Sequence, residues 1–566
     1  MKIKYYKFQE ESISDIKKDP KGKDWPVVYI INNKNEAYIG ETISAYNRTL
    51  QHLANPRRRF LKELHIIEDD NFNKSATLDI ESSLIELMSA DEKFKLQNSN
   101  SGLVFHKYNN MHKFSQESPF FKQLWNMLKQ RKLVNKEIEE IKNSDIFKYS
   151  PYKSLNSDQI NARDSIIRKL SDSVVKGEKF MGVVSGVAGT GKTILATYLV
   201  KLLTDSNFYN LDFNPEDSSY IQSLIELHNY APNFKIGYIV PMDSLRSTMK
   251  RVFRAIKDLP VKIIMSPKDI VDSEYLDLVI VDEAHRLRRR KNLVSGAFPA
   301  FSKANIKLGL DPNEGTELDW ILLKSKHQIF FYDRFQIIRP TDIRKEQFKK
   351  VLDNCSFEYI LEAQMRSLGG EEFYNYIKDI FTNKNPKPKT FDKNFEFKLF
   401  DNISDMRIDI MEKDKNPDIG LSKMVAGYAW QWKSKKDKKG TPYDKRTVDI
   451  RIDNEEFTWN TTPNDWINSE NSINEMGCIH TVQGYDLNYI GIVMGNEISY
   501  DKAKNKIVVI KDNYHDIMGK RSINEYDELF EYITNIYITL FSRGIKGVYV
   551  YICDKNLKDY LKQYFL

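Results

Sequence analysis

The stretch Gly186-Val187-Ala188-Gly189-Thr190-Gly191-Lys192-Thr193 has the residue types that hold a chain of phosphates. It fits G-x-x-x-x-G-K-[ST] at every fixed position. Gly186, Gly189 and Gly191 let the backbone curl so that its N–H groups point at phosphate oxygens, and a following helix adds partial positive charge there. Lys192 has the reach for β- and γ-phosphates, and the Thr193 hydroxyl suits Mg²⁺. Further along, the apolar run Leu278-Val279-Ile280-Val281 ends in Asp282-Glu283. Two carboxylates at a strand end complete the chemistry of ATP hydrolysis: Asp282 for the metal through water, Glu283 to polarise the attacking water.

A second set of residues near the N-terminus suits phosphodiester hydrolysis. Glu81 can hold one hard divalent cation, Mg²⁺ or Mn²⁺, and Arg48 can clamp a phosphate with two N–H groups. Tyr29 or Tyr38 can orient or deprotonate water with His52 assisting. Each also has a plain reading: tyrosines packing in strands, Arg48 and His52 as a solvated helix face, Glu81 as a surface charge. The elements that must position them are readable. Val27 to Ile31 is apolar and β-branched, Asn32-Asn33-Lys34-Asn35 is turn-like, and Tyr38-Ile39-Gly40 follows, which predicts a hairpin. Ser44 to Leu53 then reads as a helix with Arg48 and His52 four apart on one face.

In this order the stretch 25–105 resembles the GIY-YIG nuclease family. The first half-motif stands as Val27-Val28-Tyr29, without its glycine, and the second is intact as Tyr38-Ile39-Gly40. The resemblance implies that Arg48 is the catalytic arginine, Glu81 the metal-binding glutamate and Asn98 the asparagine that closes the site. The missing glycine leaves open a site that binds nucleic acid without cutting it.

The 566 residues suffice for about three or four domains, and 41% are hydrophobic, which excludes general disorder. A net charge of +7 permits nucleic-acid binding without demonstrating it. Cys355, Cys478 and Cys553 are too few and too far apart for a disulfide framework or a cysteine zinc site. No signal peptide and no membrane-spanning run are expected, so the protein is placed in the cytoplasm with reduced thiols. From Phe120 to Ile141 apolar residues recur at helical spacing among mixed charges, which reads as one or two helices, a connector able to dock on either neighbour. Ser150-Pro151 marks a boundary.

Beyond it, strands are expected at Phe180–Ser185, Ile236–Pro241, Asp277–Val281, Gln328–Asp333 and Gly547–Ile552. The motifs between residues 155 and 550 resemble those of superfamily 1 helicases. More closely, they resemble a bacterial family akin to Schlafen helicase domains, through VAGTGKT, VDEAHR, QMRS, VAGYAW, TVQGYD and LFSRGIKG. The resemblance implies that Gln159 reads adenine, Arg246 and Thr248 contact the strand backbone, Gln336 senses the γ-phosphate and Asp333 is a supporting acid. It further implies Arg366 as a phosphate contact, Thr481 and Gln483 facing nucleic acid, and Arg543 as an arginine finger from the second lobe. The basic run Arg286, Arg288, Arg289, Arg290, Lys291 reads equally as a solvated face or a nucleic-acid contact. Trp430 and Trp432 read as strand packing before base stacking.

The sequence therefore leads to an α/β architecture: a small GIY-YIG nuclease-like domain over 1–105, a helical connector over 106–150, and RecA-like parallel-sheet lobes over 151–343 and 344–566. The expected activity is an ATP-dependent motor on nucleic acid, DNA before RNA, with an attached endonuclease. Such fusions suggest anti-phage defence in bacteria, with a second copy or a defence partner. An ATP gate on the nuclease without strand displacement, or an ATPase with an inactive binding module, are the alternatives.

Overall fold

The computed structural model describes residues 1–98, 108–205, 218–294, 296–362, 367–438, 441–462, 466–482, 485–521 and 523–565. Arg366 and Gln483 lie outside these residues. The chain divides into two compact units. One comprises 1–164, 194–225 and 248–262; the other comprises 165–193, 226–247 and 263–566.

The first unit is built on a mixed sheet of β1 (Lys2–Lys7), β2 (Val27–Asn32), β3 (Glu36–Thr42), β4 (Glu63–Glu68) and β5 (Lys95–Leu96), in the order β1-β4-β2-β3-β5. The expected hairpin is present: β2 and β3 pair antiparallel with Tyr29 opposite Gly40. Its turn closes because Asn33 Oδ1 accepts from the N–H groups of Asn35 and Glu36, both at 2.8 Å. The missing glycine costs nothing here, since Val27 is an ordinary buried strand residue opposite Thr42. Gly40 is different: a Cβ there would stand 2.2 Å from Tyr29 Oη, so this glycine makes room for the tyrosine ring.

The helix Ala45–Ala54 starts where the Ser44 side chain accepts from Asn47 N, and the helix Lys74–Asp91 starts where Asn73 accepts from Ala76 N. The expected connector helices are Pro119–Gln130, Ile138–Asn143 and Asp145–Lys148. They pack within this unit, with Phe121, Leu124, Trp125 and Leu128 buried. Arg131 donates to Ile3 O at 2.9 Å, and Asp91 accepts from Lys136 N at 2.7 Å.

The second unit holds two wholly parallel sheets. The first has β6 (Met181–Gly186), β7 (Ile236–Ile239), β8 (Ile264–Met265), β9 (Leu276–Val281), β10 (Ser325–Tyr332) and β11 (Phe357–Leu361), in the order β11-β6-β10-β9-β7-β8. Val183, Val279, Ile280, Val281, Ile329 and Phe330 are fully buried, the near-continuous apolar signature of strands covered on both faces. β11 pairs with β6, so the division expected after residue 343 falls before the last strand of this sheet.

The second sheet runs β12-β19-β16-β13, from β12 (Glu396–Phe400), β13 (Ser422–Ala426), β16 (Leu487–Met494) and β19 (Gly544–Ile552). Two hairpins interrupt it, β14 (Ile450–Ile452) with β15 (Glu455–Phe457), and β17 (Ile498–Asp501) with β18 (Lys506–Val509). The aromatic stretch after Met424 is strand only as far as Ala426; Trp430 and Trp432 lie beyond it, packed against the core. Cys355, Cys478 and Cys553 are free thiols. No described helix is long and apolar enough to cross a membrane.

Candidate functional site

β6, β10 and β9 are neighbours in the first parallel sheet, and each brings candidate site residues to its C-terminal end. Open parallel sheets bind ligands at this end. After β6 the loop holds Gly189 and Gly191 at φ of 89° and 79°, a left-handed conformation that favours glycine. At Gly186 a Cβ would meet Thr190 Oγ1 at 2.6 Å. Lys192 opens the helix Lys192–Thr204. Its ammonium folds over the loop and donates to Gly186 O at 2.7 Å and Val187 O at 2.9 Å, with Asp333 Oδ2 at 3.4 Å.

At the end of β9 the Asp282 carboxylate bonds the Thr193 side chain and accepts from Tyr238 Oη at 3.2 Å. A hydroxyl and a carboxylate brought together are the hard oxygen donors that a Mg²⁺ retaining its waters takes. Burial and the neighbouring Glu283 push the Asp282 carboxyl up from its usual range. Burial would push Glu283 up as well, but His285 beside it, with Lys192 and Arg543, holds it down. Glu283 sits at φ 50°, ψ 45°, a left-handed position for a residue with a Cβ, which marks local strain at this turn.

His285 ties the acidic pair to β10. Its Nδ1 accepts from Asp333 N at 3.3 Å, so the proton of the neutral ring is on Nε2, which faces Glu283 Oε2 at 3.0 Å. Asp333 in turn accepts from Gln336 Nε2 at 2.8 Å, and Gln336 Oε1 accepts from Arg543 Nη2 at 2.7 Å. Arg543 precedes β19 of the other sheet and has Asp486 Oδ1 at 3.7 Å from Nη1. The phosphate loop, the acidic pair, Asp333, Gln336 and Arg543 thus form one bonded chain across both sheets of this unit.

Other expected residues are placed differently. The Gln159 side chain accepts from Asn156 N at 3.1 Å, a helix-start role. Arg246 folds onto the chain beside it, donating to Val240 O at 2.8 Å. Thr248 is buried, with Arg251 Nη2 at 3.4 Å. Thr481 is buried and bonds Asn460 Oδ1 at 2.9 Å and Cys478 O at 3.0 Å.

The basic run is mixed: Arg286 is buried, Arg288 is exposed, and Arg289, Arg290 and Lys291 are half-buried. Arg286 pairs with Asp342, Arg288 with Glu317 at 2.7 Å, Arg289 donates to Pro340 O at 2.8 Å and Arg290 to Ser302 Oγ at 2.8 Å. Arg286 and Asp342 are both buried, and Asp342 also receives Ile338 N and Arg339 N. Asp342→Ala is therefore expected to destabilise the unit by about 3–5 kcal/mol, because it strands a buried guanidinium. Urea denaturation followed by tryptophan fluorescence measures this.

In the first unit a polar cluster gathers on β2, β3 and the helix Ala45–Ala54. Tyr29 Oη lies 2.7 Å from His52 Nε2 and accepts from Arg48 Nε at 3.2 Å. The Tyr38 and His52 rings meet edge-on at 5.1 Å. Asn98 bridges β3, accepting from Ile39 N at 3.1 Å and donating to Ile39 O at 2.8 Å. Glu81, on the helix Lys74–Asp91, is within electrostatic reach of Arg48. Burial, with the Glu41 carboxylate, pushes Glu81 up to about 8, against Lys74 and Arg48. A site that penalises an uncompensated carboxylate charge suits a cation held by that carboxylate. Among the described residues no group of three or more His, Cys, Asp or Glu is arranged to hold a metal.

Arg58, not among the expected residues, also belongs to this cluster: its guanidinium stands 3.6 Å over the Tyr38 ring and bonds His52. The run Arg57-Arg58-Arg59 shortly after His52 was its available signal.

Residues 179–554 match the family described as Schlafen group 3, DNA/RNA helicase domain. A Saccharomyces cerevisiae relative, "Uncharacterized protein YPL245W", is 26% identical over 423 residues, 67% of this chain and 83% of the yeast chain. Among solved structures, the Pif1 helicase from Candida albicans is 8% identical, covers 70% of this chain and 94% of its own, with a TM-score of 0.24. The Arterivirus nonstructural protein 10 (helicase) in complex with DNA is 11% identical over 68% of this chain, with a TM-score of 0.22, and this chain spans 57% of the viral chain's length.

Proposed function

The chain belongs to the Schlafen group 3 helicase family through residues 179–554, and we propose that it is an ATP-driven nucleic-acid motor carrying a metal-dependent nuclease near its N-terminus. The observation that carries the motor reading is the meeting of Lys192, Asp282, Glu283 and Asp333 at the ends of adjacent parallel strands, joined through Gln336 to Arg543.

Lys192 exchanges its two loop carbonyls for β- and γ-phosphate oxygens when ATP binds. Thr193 and Asp282 would hold Mg²⁺, which when bound neutralises charge on the phosphates. Glu283, ionised and oriented by His285, polarises the attacking water. Arg543 leaves Gln336 for the γ-phosphate, and Gln336 and Asp333 pass that change to the phosphate loop. A bond exchanged between ATP and two sheets is the kind of element that couples hydrolysis to movement along a strand.

The Tyr29–His52–Arg48 cluster beside Glu81 supports the nuclease reading. Arg48 clamps the phosphodiester, Glu81 would hold Mg²⁺ or Mn²⁺, which would neutralise charge on the phosphate, and Tyr29 and Tyr38 face the attacking water. Asn98 keeps β3 in place. The substrate is DNA before RNA.

Plasmid and single-stranded DNA are incubated with Mg²⁺ or Mn²⁺, with and without ATP. Glu81→Ala is expected to lower cleavage by about 100-fold or more by removing the cation's protein ligand, and Lys192→Ala to remove the response to ATP. A parent that never cuts DNA, or a Glu81→Ala variant that cuts equally well, defeats the nuclease reading. ATP-dependent triplex displacement tests the motor separately; ATP hydrolysis without displacement reduces it to a switch.

A further inference from the structure

His52 can serve the nuclease site in two ways, by accepting a proton or by donating a hydrogen bond. Arg58 bears on that choice. It lies in the turn 56–60, after the helix that carries Arg48 and His52. Its guanidinium carbon stands 3.6 Å from the Tyr38 ring centroid, a stacked position that fixes the fork. From there Nη1 bonds His52 Nδ1, while Nε2 of the same ring is 3.4 Å away.

A guanidinium has only donors to offer. The Nδ1 it meets must therefore present a lone pair, and the single proton of a neutral imidazole is left on Nε2. His52 is buried, and burial first, then Arg58 and Arg48, hold it well below its usual range, so the neutral ring is the form present. Its Nε2–H is aimed at Tyr29 Oη, 2.7 Å away. Arg48 Nε–H is aimed at the same oxygen from 3.2 Å. Two N–H groups thus converge on the phenol oxygen, and the Tyr29 proton turns away from both.

We propose that Arg58 is a positioning residue of the nuclease site: by filling His52 Nδ1 it locks His52 as a hydrogen-bond donor to Tyr29, closed to service as a proton acceptor, and leaves the Tyr29 hydroxyl to meet the reacting groups. This rests on the nuclease reading for its catalytic consequence, but the tautomer itself is a property of the chain without substrate.

The test uses the full chain, labelled with ¹⁵N at histidine side chains, with the His52 signals assigned by their loss in His52→Asn. In the parent, His52 is expected to show an unprotonated Nδ1 and a protonated Nε2. In Arg58→Ala both nitrogens are expected to move towards a mixture of the two tautomers. Arg58→Gln, which keeps a neutral donor and much of the volume, is expected to retain the parent tautomer, which separates positioning from loss of folding. In metal-dependent cleavage, Arg58→Ala is expected to lower kcat about 10- to 100-fold, the usual effect of removing an orienting partner, with KM changed less than about 3-fold. Millimolar guanidinium is expected to restore part of the rate, and ammonium, without the planar fork, is not.

A parent His52 protonated on Nδ1 overturns the proposal, as does an Arg58→Ala variant with tautomer and kcat unchanged. If the parent shows the Arg58-dependent tautomer but no cleavage, the positioning stands and the nuclease reading falls. If the parent cuts and Arg58→Ala cuts equally, the nuclease reading stands and the positioning falls.

Discussion

Arg543→Ala is expected to lower nucleic-acid-stimulated ATP turnover by about 10³-fold, the lower end of what an arginine finger contributes, while ATP binding weakens far less. The reason is where the side chain waits. Arg543 is almost fully buried, held by Gln336 Oε1 at 2.7 Å, and its Nε has no partner among the described residues. A buried guanidinium with an unused donor is costly to keep, and a γ-phosphate would engage the fork more completely than a glutamine amide does. The loss therefore falls on the transition state, and kcat drops with little change in KM for ATP. Arg543→Lys is expected to recover little, since an ammonium lacks the planar fork. Steady-state ATPase assays at saturating single-stranded DNA measure both constants. Turnover kept within about 10-fold of the parent would remove Arg543 from the reaction.

What could be read from the sequence, and what could not, divides along one physical line. Phosphate chemistry imposes strict local strings, so Lys192, Thr193, Asp282 and Glu283 stand out before any fold is known. Buried parallel strands are also locally written: the runs at Phe180–Ser185 and Gln328–Asp333 became β6 and β10 with shifts of a few residues at the ends. The N-terminal hairpin was legible because β-branched residues flank an asparagine-rich turn.

The hidden features are those that depend on distant partners. Nothing local tells that Arg286 finds Asp342 or Arg288 finds Glu317, so residues that pair with distant carboxylates look the same in the sequence as unpaired surface charges. Likewise, Phe357–Leu361 carries no local mark of its sheet; it joins β6 through backbone pairing, with the Phe357 ring stacked on Phe180 at 6.5 Å. Arg58 was hidden for the same reason, since its meaning lies in the ring nitrogen it meets.

Glu283→Gln is expected to reduce ATP turnover by about 10³-fold, within the range of a general base or water-positioning group, and to leave the nucleotide bound. Glutamine is nearly isosteric, so the turn at φ 50° and the packing around it are retained. What changes is the charge. Against the push of burial, His285, whose Nε2 stands 3.0 Å from the carboxylate, together with Lys192 and Arg543 holds Glu283 below its usual range. A neutral amide cannot polarise water to the same degree, nor take its proton. It also relieves the repulsion between Glu283 and Asp282, whose carboxyl is pushed up by burial and then by that neighbour. Removing a like charge next to Asp282 favours the nucleotide complex, so KM for ATP is expected to fall along with kcat, the pattern of a ground state that has been stabilised. Fluorescent-nucleotide titration and single-turnover hydrolysis of the same preparation separate the two effects. A variant that binds ATP weakly, or that still turns over within about 10-fold of the parent, would show that the water is activated elsewhere. Because His285 Nδ1 accepts from the Asp333 backbone, Glu283 is tied to the same strand end that carries Gln336, to which Arg543 of the other sheet donates. Asp333 therefore links the two halves of the candidate site, through its backbone to His285 and Glu283 and through its side chain to Gln336 and Arg543.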